Sequence, residues 1–178
     1  EYVDYDIRGD DTIPGRIAAE GLLFTRRTME VLAGFGADVM GMTDAGVARV
    51  VVNASCLDEY GQPVRDNATF RATGLSWVPA RGVAVCLKDV FDYSYSAAVD
   101  VVAHEWGHAL INLEAPDLNS VPGAKRQMGE GFADVVGHLV EWQTQGPGDD
   151  PEEAEWTYGE DNLPWQRAAD RMPTGQER

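Results

Sequence analysis

The feature that most constrains the fold is an apolar stretch, residues 97–113, whose hydrophobic residues recur at the spacing of a buried α-helix. His104 and His108 lie within it, and Glu105 follows the first histidine. Residues four apart project from the same side of a helix, so both imidazoles can reach one metal ion. The glutamate is close enough to accept a proton from a water molecule on that metal. The stretch therefore predicts a core helix that also carries a metal site.

The same residues admit a second interpretation, in which two core histidines are satisfied by hydrogen bonds and the glutamate is solvated. Two imidazoles and a carboxylate on an apolar face cost free energy unless they are ligated or paired. We therefore expect a metal site. Two histidines leave a tetrahedral Zn²⁺ ion short of one protein ligand, with a further position open to water. The third ligand must come from another segment.

An acidic motif lies on the next predicted helix, which covers roughly residues 127–143. Glu130 and Asp134 are four residues apart, so both carboxylates face the same side of that helix. We expect Glu130 to be the third ligand and Asp134 to accept a hydrogen bond from the free ring nitrogen of a ligating histidine. The alternative is a pair of carboxylates on a solvated helix face. Because this motif follows the histidine motif on the very next helix, we favour the metal site.

Both motifs resemble those of the thermolysin-like zinc metallopeptidases, the gluzincins. Residues 98–110 are similar to the family's active-site helix, and residues 129–137 are similar to its Asn-Glu-x-x-x-Asp helix, with Gly129 where the family usually has Asn. Residues 156–161 resemble its Trp-x-x-Gly-Glu-Asp segment. The resemblance implies a zinc-dependent metalloendopeptidase that hydrolyses peptide bonds by means of a zinc-activated water and a glutamate general base. Its substrate would be a peptide or protein.

The resemblance also implies roles for individual residues. They are the zinc ligands His104, His108 and Glu130, the general base Glu105, and Asp134, which orients a histidine. Arg171 faintly resembles the family's arginine that binds the substrate carbonyl, and Asn67 faintly resembles its asparagine that binds the substrate backbone. On this basis we expect Arg171 to act in catalysis. The alternatives are that Arg171 is an ordinary surface arginine and that Asn67 is an ordinary loop asparagine.

A calcium site accompanies the zinc helix in the family, and it is built from acidic positions. The matching residues are Asp100, Glu141, Glu155 and Glu160, and Thr157 stands where the family has another acidic ligand. The resemblance implies a calcium site with oxygen ligands of the kind that this ion prefers, and we expect one Ca²⁺ ion instead of the family's pair. The alternative is a solvated acidic loop.

Two family residues that help to hold the oxyanion have no counterpart. No tyrosine occurs between Ala109 and Gly129, and no histidine follows His138, which we expect to be structural or on the surface. An alternative function is therefore a non-catalytic or weakly active zinc- and calcium-binding domain of the same ancestry. A third interpretation is an acidic, calcium-dependent binding module in which the zinc helix is incidental.

The order of predicted elements indicates an α+β fold, in the zincin-like arrangement that the resemblance implies. A helix over residues 17–33 precedes strands near 47–52 and 82–90, with a loop over 58–67. The two motif helices follow, separated by a proline-containing break at 115–125. Residues 1–145 would form the zincin-like catalytic domain. Residues 146–178 would form an acidic loop and a short C-terminal helical segment, which is only part of the family's helical lobe.

Composition argues against two classes of partner. Thirty Asp and Glu against fourteen Lys and Arg give a net charge of −16, so we expect no nucleic-acid partner. No apolar run approaches the roughly 20 residues that span a bilayer, so we expect no membrane partner.

The two cysteines help to indicate whether the protein resides in an oxidising or a reducing cellular compartment. Cys56 and Cys86 could form one disulfide in an oxidising compartment or remain two buried thiols, and we favour the disulfide. A disulfide would fit a secreted, extracellular protein. The chain begins at Glu1, which fits either a processed secreted protein or a fragment of a longer one.

Overall fold

The structure is a computed structural model that describes residues 14–43, 46–54, 56–58, 60–65, 67–72, 82–86, 98–120 and 123–145. In these residues the fold is α+β, as predicted, with four helices and one three-stranded sheet. The helices are α1 (Pro14–Gly34), α2 (Val99–Glu114), α3 (Asp117–Ser120) and α4 (Ala124–Gln145). The strands are β1 (Val50–Ala54), β2 (Ala68–Arg71) and β3 (Gly82–Cys86).

The three long helices lie where their hydrophobic periodicity predicts them. Helix α1 begins at Pro14, whose fixed φ and missing N–H suit a first helical position. It ends at Gly34, shortly before Gly36 adopts a φ of +79°. The four-residue helix α3 lies inside the break predicted at 115–125. None of the helices in the described part of the chain is long and apolar enough to cross a membrane.

The sheet is mixed, with strand order β1-β3-β2. Strand β1 runs parallel to β3, with Val50 opposite Val83, and β2 runs antiparallel to β3, with Phe70 also opposite Val83. The sequence patterns predicted β1 and β3 but not β2, because four residues of mixed polarity carry a weak strand signal. Strand β2 lies at the edge of the described sheet, beside α2.

Alternate residues of β1 and β3 divide the core between the two faces of the sheet. One face packs against the helices, and its buried residues include Val50, Val52, Val83 and Val85 with Val102, Trp106, Val136 and Val140. The opposite face carries a smaller cluster that includes Val51, Ala84 and both cysteines. Burial on both faces explains the continuous β-branched run of β1.

A disulfide bond joins Cys56, just after β1, to Cys86, the last residue of β3, which confirms the predicted bridge. Both cysteines are buried. The cross-link spans a sequence separation of 30 residues. In the chain-entropy description a loop of this size contributes on the order of 3–4 kcal/mol to the free energy of unfolding. The bond therefore holds the end of β1 against β3 in a sheet of few strands.

Candidate metal centre

Two histidines of α2 and a glutamate of α4 converge at the contact between these helices. The Nε2 atoms of His104 and His108 are 3.1 Å apart. The Glu130 Oε2 atom lies 3.5 Å from His104 Nε2 and 3.3 Å from His108 Nε2. Both histidines are largely buried, whereas Glu130 is nearly half exposed. These three residues are the group in the described part of the chain that could hold a metal ion, as predicted.

Asp134 contacts His104 at Nδ1, the ring nitrogen away from the other two ligands, and thereby determines which nitrogen carries the hydrogen. The Asp134 Oδ1 atom is 2.9 Å from His104 Nδ1. Because a carboxylate only accepts hydrogen bonds, the ring hydrogen of a neutral His104 lies on Nδ1, and the Nε2 lone pair points at the other two groups. Burial, followed by the charge of His108, holds the pKa of His104 below its usual range, against the opposing charges of Asp134 and Glu130. His104 is therefore a neutral imidazole suited to ligation.

Two glycines let α2 and α4 approach closely enough for this convergence. A Cβ atom on Gly137 would lie 2.7 Å from the carbonyl oxygen of Asp100, which is a steric clash with backbone. A Cβ atom on Gly107, between the two histidines, would lie 3.0 Å from the Cα atom of Ala133. Each helix thus contributes a glycine where the other helix passes. The reach of Glu130 to the histidines depends on this short separation.

Glu105 follows His104 on α2, interacts electrostatically with Glu130 and is almost completely buried. Its Oε2 atom accepts a hydrogen bond of 2.6 Å from the backbone N–H of Phe70 in β2. Burial raises the pKa of Glu105 to about 8, because a buried carboxylate loses its hydration, and the Phe70 hydrogen bond opposes this only in part. The carboxyl group is thus held in place by the edge strand and, without metal, exchanges its proton near pH 8.

Trp106 fixes the rotation of α2 about its own axis. Its indole is fully buried, and its Nε1–H donates a hydrogen bond of 3.2 Å to Thr25 Oγ1 of α1. Its ring also contacts Phe70, with centroids 6.3 Å apart. With Trp106 anchored on α1 and β2, its neighbour Glu105 reaches β2, while His104 and His108 face α4.

The structure describes only two of the four calcium ligands that the family resemblance implies. Asp100 on α2 and Glu141 on α4 are both buried, and Asp100 Oδ1 accepts a hydrogen bond of 2.7 Å from the Val101 backbone N–H. Glu141 Oε2 lies 3.6 Å from Nδ1 of His138. Glu155 and Glu160 lie outside the described residues, so the calcium site stays a prediction.

Asn67 and Arg171 are the two residues that the family resemblance predicts to contact the substrate. Asn67 is exposed just before β2, and its backbone carbonyl oxygen accepts a hydrogen bond from the Cys86 N–H. Arg171 lies outside the described residues, as do the acidic loop and the C-terminal helical segment predicted for 146–178.

Phe70, Gly107 and Gly137 contribute to the geometry of the candidate site but were not indicated by the motifs. Phe70 acts through its backbone N–H, which any residue except proline supplies, so its identity carries no signal. The alternation of Ala68 and Phe70 with polar neighbours is a weak strand pattern that could have located β2. Gly107 and Gly137 stand inside predicted helices, where a glycine is unfavourable unless packing requires it.

A comparison with protein-family models found no match, and a search of curated proteins found none either.

Proposed function

We propose that the protein is a zinc-dependent metalloendopeptidase of the thermolysin-like kind, with a zincin-like fold. The observation that carries this proposal is a buried, strand-anchored Glu105 that follows His104 on α2 and interacts electrostatically with Glu130, next to three converging ligand atoms in the chain's helix pair. A site that only binds a structural metal has no use for such a group. Three protein ligands with one open position are typical of catalytic zinc sites, whereas structural sites have four protein ligands.

The spacing of the ligand atoms supports zinc as the metal. Ligand atoms 2.0–2.1 Å from a tetrahedral Zn²⁺ ion are about 3.3–3.4 Å from one another. The three separations among His104, His108 and Glu130 are 3.1, 3.3 and 3.5 Å. Two imidazoles with one carboxylate are also a donor set that zinc favours over calcium or magnesium. When bound, zinc supplies a Lewis acid that activates water and polarises the scissile carbonyl.

Glu105 is the residue of this chain that moves protons. Its Oε2 atom is held by Phe70, and no other hydrogen bond within the described residues engages the carboxylate. Oε1 is therefore available to take a proton from the attacking water and to pass it to the leaving amine. The pKa of Glu105 is about 8 without metal, and the charge of a bound Zn²⁺ ion would lower it, so that the same group can accept a proton and then give it up.

Strand β2 is the element that we expect to position the substrate. Since the Phe70 N–H bonds Glu105, it points away from β3 and toward the site. Ala68, two residues earlier, presents its backbone in the same direction. A peptide that adds to this edge in an extended conformation would receive backbone hydrogen bonds and would pass directly beside the base.

The alternative is a non-catalytic or weakly active zinc- and calcium-binding domain, favoured by the absence of tyrosine between 109 and 129. Ca²⁺ binding through Asp100 and Glu141 is a further proposal, supported by two buried carboxylates on facing helices. An extracellular location is likewise proposed, supported by the disulfide, since such bonds persist in oxidising compartments.

Peptide hydrolysis with and without metal distinguishes the two functions. The purified chain should hydrolyse casein or an internally quenched peptide. A zinc-selective chelator should abolish this turnover, and added Zn²⁺ should restore it. If the chain binds one equivalent of zinc and hydrolyses neither substrate, it is the non-catalytic domain. Folding that requires calcium but not zinc would instead favour the calcium-dependent binding module.

A further inference from the structure

The metal ligands and the base of the candidate site are held by two different parts of the fold. The three ligands lie on α2 and α4, and the separation of these helices is set by their own glycine contacts. The carboxyl group of Glu105 is instead held by the sheet, because its Oε2 atom accepts the 2.6 Å hydrogen bond from the Phe70 N–H of β2. A change in the sheet can therefore displace this carboxyl group without separating the metal ligands.

Strand β2 takes its position from β3. In the described part of the chain β2 pairs with β3 over all four of its residues, Ala68 to Arg71. One further hydrogen bond extends this pairing, because the Cys86 N–H donates to the Asn67 carbonyl oxygen over 2.8 Å. The ring of Phe70 packs on α2, but the backbone hydrogen bonds that set the register of β2 come from β3. A disulfide cysteine is thus bonded directly to the residue that precedes β2.

The disulfide fixes this end of β3. Cys86 is the last residue of β3, and its sulfur is bonded to that of Cys56, which follows β1. The backbone pairing of β1 with β3 is irregular just before this point, because the register shifts between Val51 and Ala54. Such an irregularity disrupts the ladder locally. The covalent bond therefore holds the two strand ends together where their backbone pairing is weakest.

We infer that Cys56 and Cys86 are positioning residues for the base: their disulfide fixes β3, β3 fixes β2, and β2 holds the carboxyl group of Glu105. This inference rests on the proposed peptidase function. A displacement of about 1 Å can lower the rate by about 10²-fold even when its cause lies far from the reacting atoms. Loss of the disulfide should therefore lower kcat while zinc binding persists.

Removal of the disulfide from the zinc-loaded chain tests the inference. Cys56→Ala/Cys86→Ala should lower kcat for an internally quenched peptide by about 10- to 100-fold and leave the dissociation constant for Zn²⁺ unchanged. Excess Zn²⁺ stabilises the folded chain during the assay. Leu32→Ala is the matched control, because Leu32 is buried on α1, outside the sheet, and its truncation also destabilises the fold. It should keep both kcat and zinc.

Hydrogen exchange of the Phe70 amide reports on the same link without any turnover. Relative to the amides of α2 and α4, it should exchange faster in the double variant than in the wild type, and Leu32→Ala should leave this ratio unchanged. A wild-type chain that hydrolyses no peptide, while the Phe70 amide responds in this way, would refute the proposed function and support the link from the disulfide to Glu105.

The inference is overturned if the zinc-loaded double variant keeps the kcat and the Phe70 exchange rate of the wild type. It is equally overturned if the variant loses zinc together with turnover, because the disulfide then supports the whole fold and not the base alone. Cys56→Val/Cys86→Val fills more of the vacated volume and replaces the alanine pair if that pair does not fold. If neither pair folds in excess Zn²⁺, the helix pair itself depends on the disulfide, and the inference is wrong.

Discussion

His104 illustrates how neighbouring side chains prepare a residue for metal binding. Asp134 holds its Nδ1 at 2.9 Å, and its Nε2 lies within 3.5 Å of both other ligand atoms. Burial and the proximity of His108 lower its pKa, so the ring stays neutral without a metal. His138, the remaining histidine of the chain, contacts Glu141 and lies outside the ligand group. It therefore provides an internal control for the metal site.

Substitution of a ligating histidine should remove most of the metal. His104→Ala and His108→Ala each leave two ligands in place of three, and two ligands do not close a zinc site. His138→Ala should keep one zinc per chain. Metal analysis of the dialysed proteins by mass spectrometry gives the stoichiometry. A folded His108→Ala variant that still holds one equivalent of zinc would refute the ligand assignment.

Asp134→Ala should weaken zinc binding without abolishing it. Loss of the carboxylate that orients a ligating histidine typically costs about 10- to 100-fold in metal affinity. Asp134→Asn should recover part of that loss, because its amide oxygen still accepts a hydrogen bond from His104 Nδ1–H. Competition with a chromophoric chelator measures the affinities. If both variants bind zinc as tightly as the wild type, the Asp134 contact has no role in ligation.

The buried carboxyl of Glu105 should make the metal-free protein less stable as pH rises. Its pKa is about 8 in the folded protein, against 4.5 for an ordinary glutamate. The folded state therefore keeps a proton that the unfolded chain releases. The stabilisation is complete below pH 4.5 and is lost as pH rises through 8, by a few kcal/mol. The difference in free energy of unfolding between wild type and Glu105→Gln, measured in urea with chelator present, should follow this trend. A difference that does not vary with pH would contradict it.

At the scale of elements, the close contact of α2 with α4 decides whether the site forms. Gly137→Ala places a Cβ atom 2.7 Å from the Asp100 carbonyl oxygen, so the helices must separate, at a cost of about 1–3 kcal/mol. Gly131→Ala on the same helix meets no atom within 4 Å and should stabilise the protein by up to about 1 kcal/mol. Urea unfolding compares the two variants. If the two variants had the same free energy of unfolding, the close approach of α4 to α2 at Gly137 would not matter for stability.

Elements and ligands differ in how far the sequence predicts them. Helices α2 and α4 and the residues His104, His108, Glu130 and Asp134 follow from periodicity and spacing, because helix geometry converts a gap of four residues into a shared face. Strand β2 does not, because its place depends on pairing with β3, which is distant in sequence. The Phe70–Glu105 hydrogen bond depends on how β2 pairs with β3, so even a strand recognised from its weak alternation would not have predicted it.

For the whole molecule, we expect a weak peptidase. The sequence supplies the ligands and the base, but no tyrosine between 109 and 129 to help hold the oxyanion. The loss of one such donor typically lowers turnover by about 10²- to 10³-fold. The kcat for an internally quenched peptide should be lower by this factor than that of zinc peptidases that have the oxyanion-binding tyrosine. A fully normal kcat would reveal a donor not yet recognised, and Arg171→Ala is the first variant that would test for it.

The most direct test of the account compares hydrolysis by the wild type and by Glu105→Gln at equal zinc content. The glutamine side chain still accepts the Phe70 N–H hydrogen bond but cannot accept the proton of the attacking water. We predict that the variant binds one zinc per chain and loses turnover by about 10²- to 10⁴-fold, the usual contribution of a general base. Turnover equal to that of the wild type at the same zinc content would contradict the role of Glu105 and, with it, the proposed peptidase mechanism.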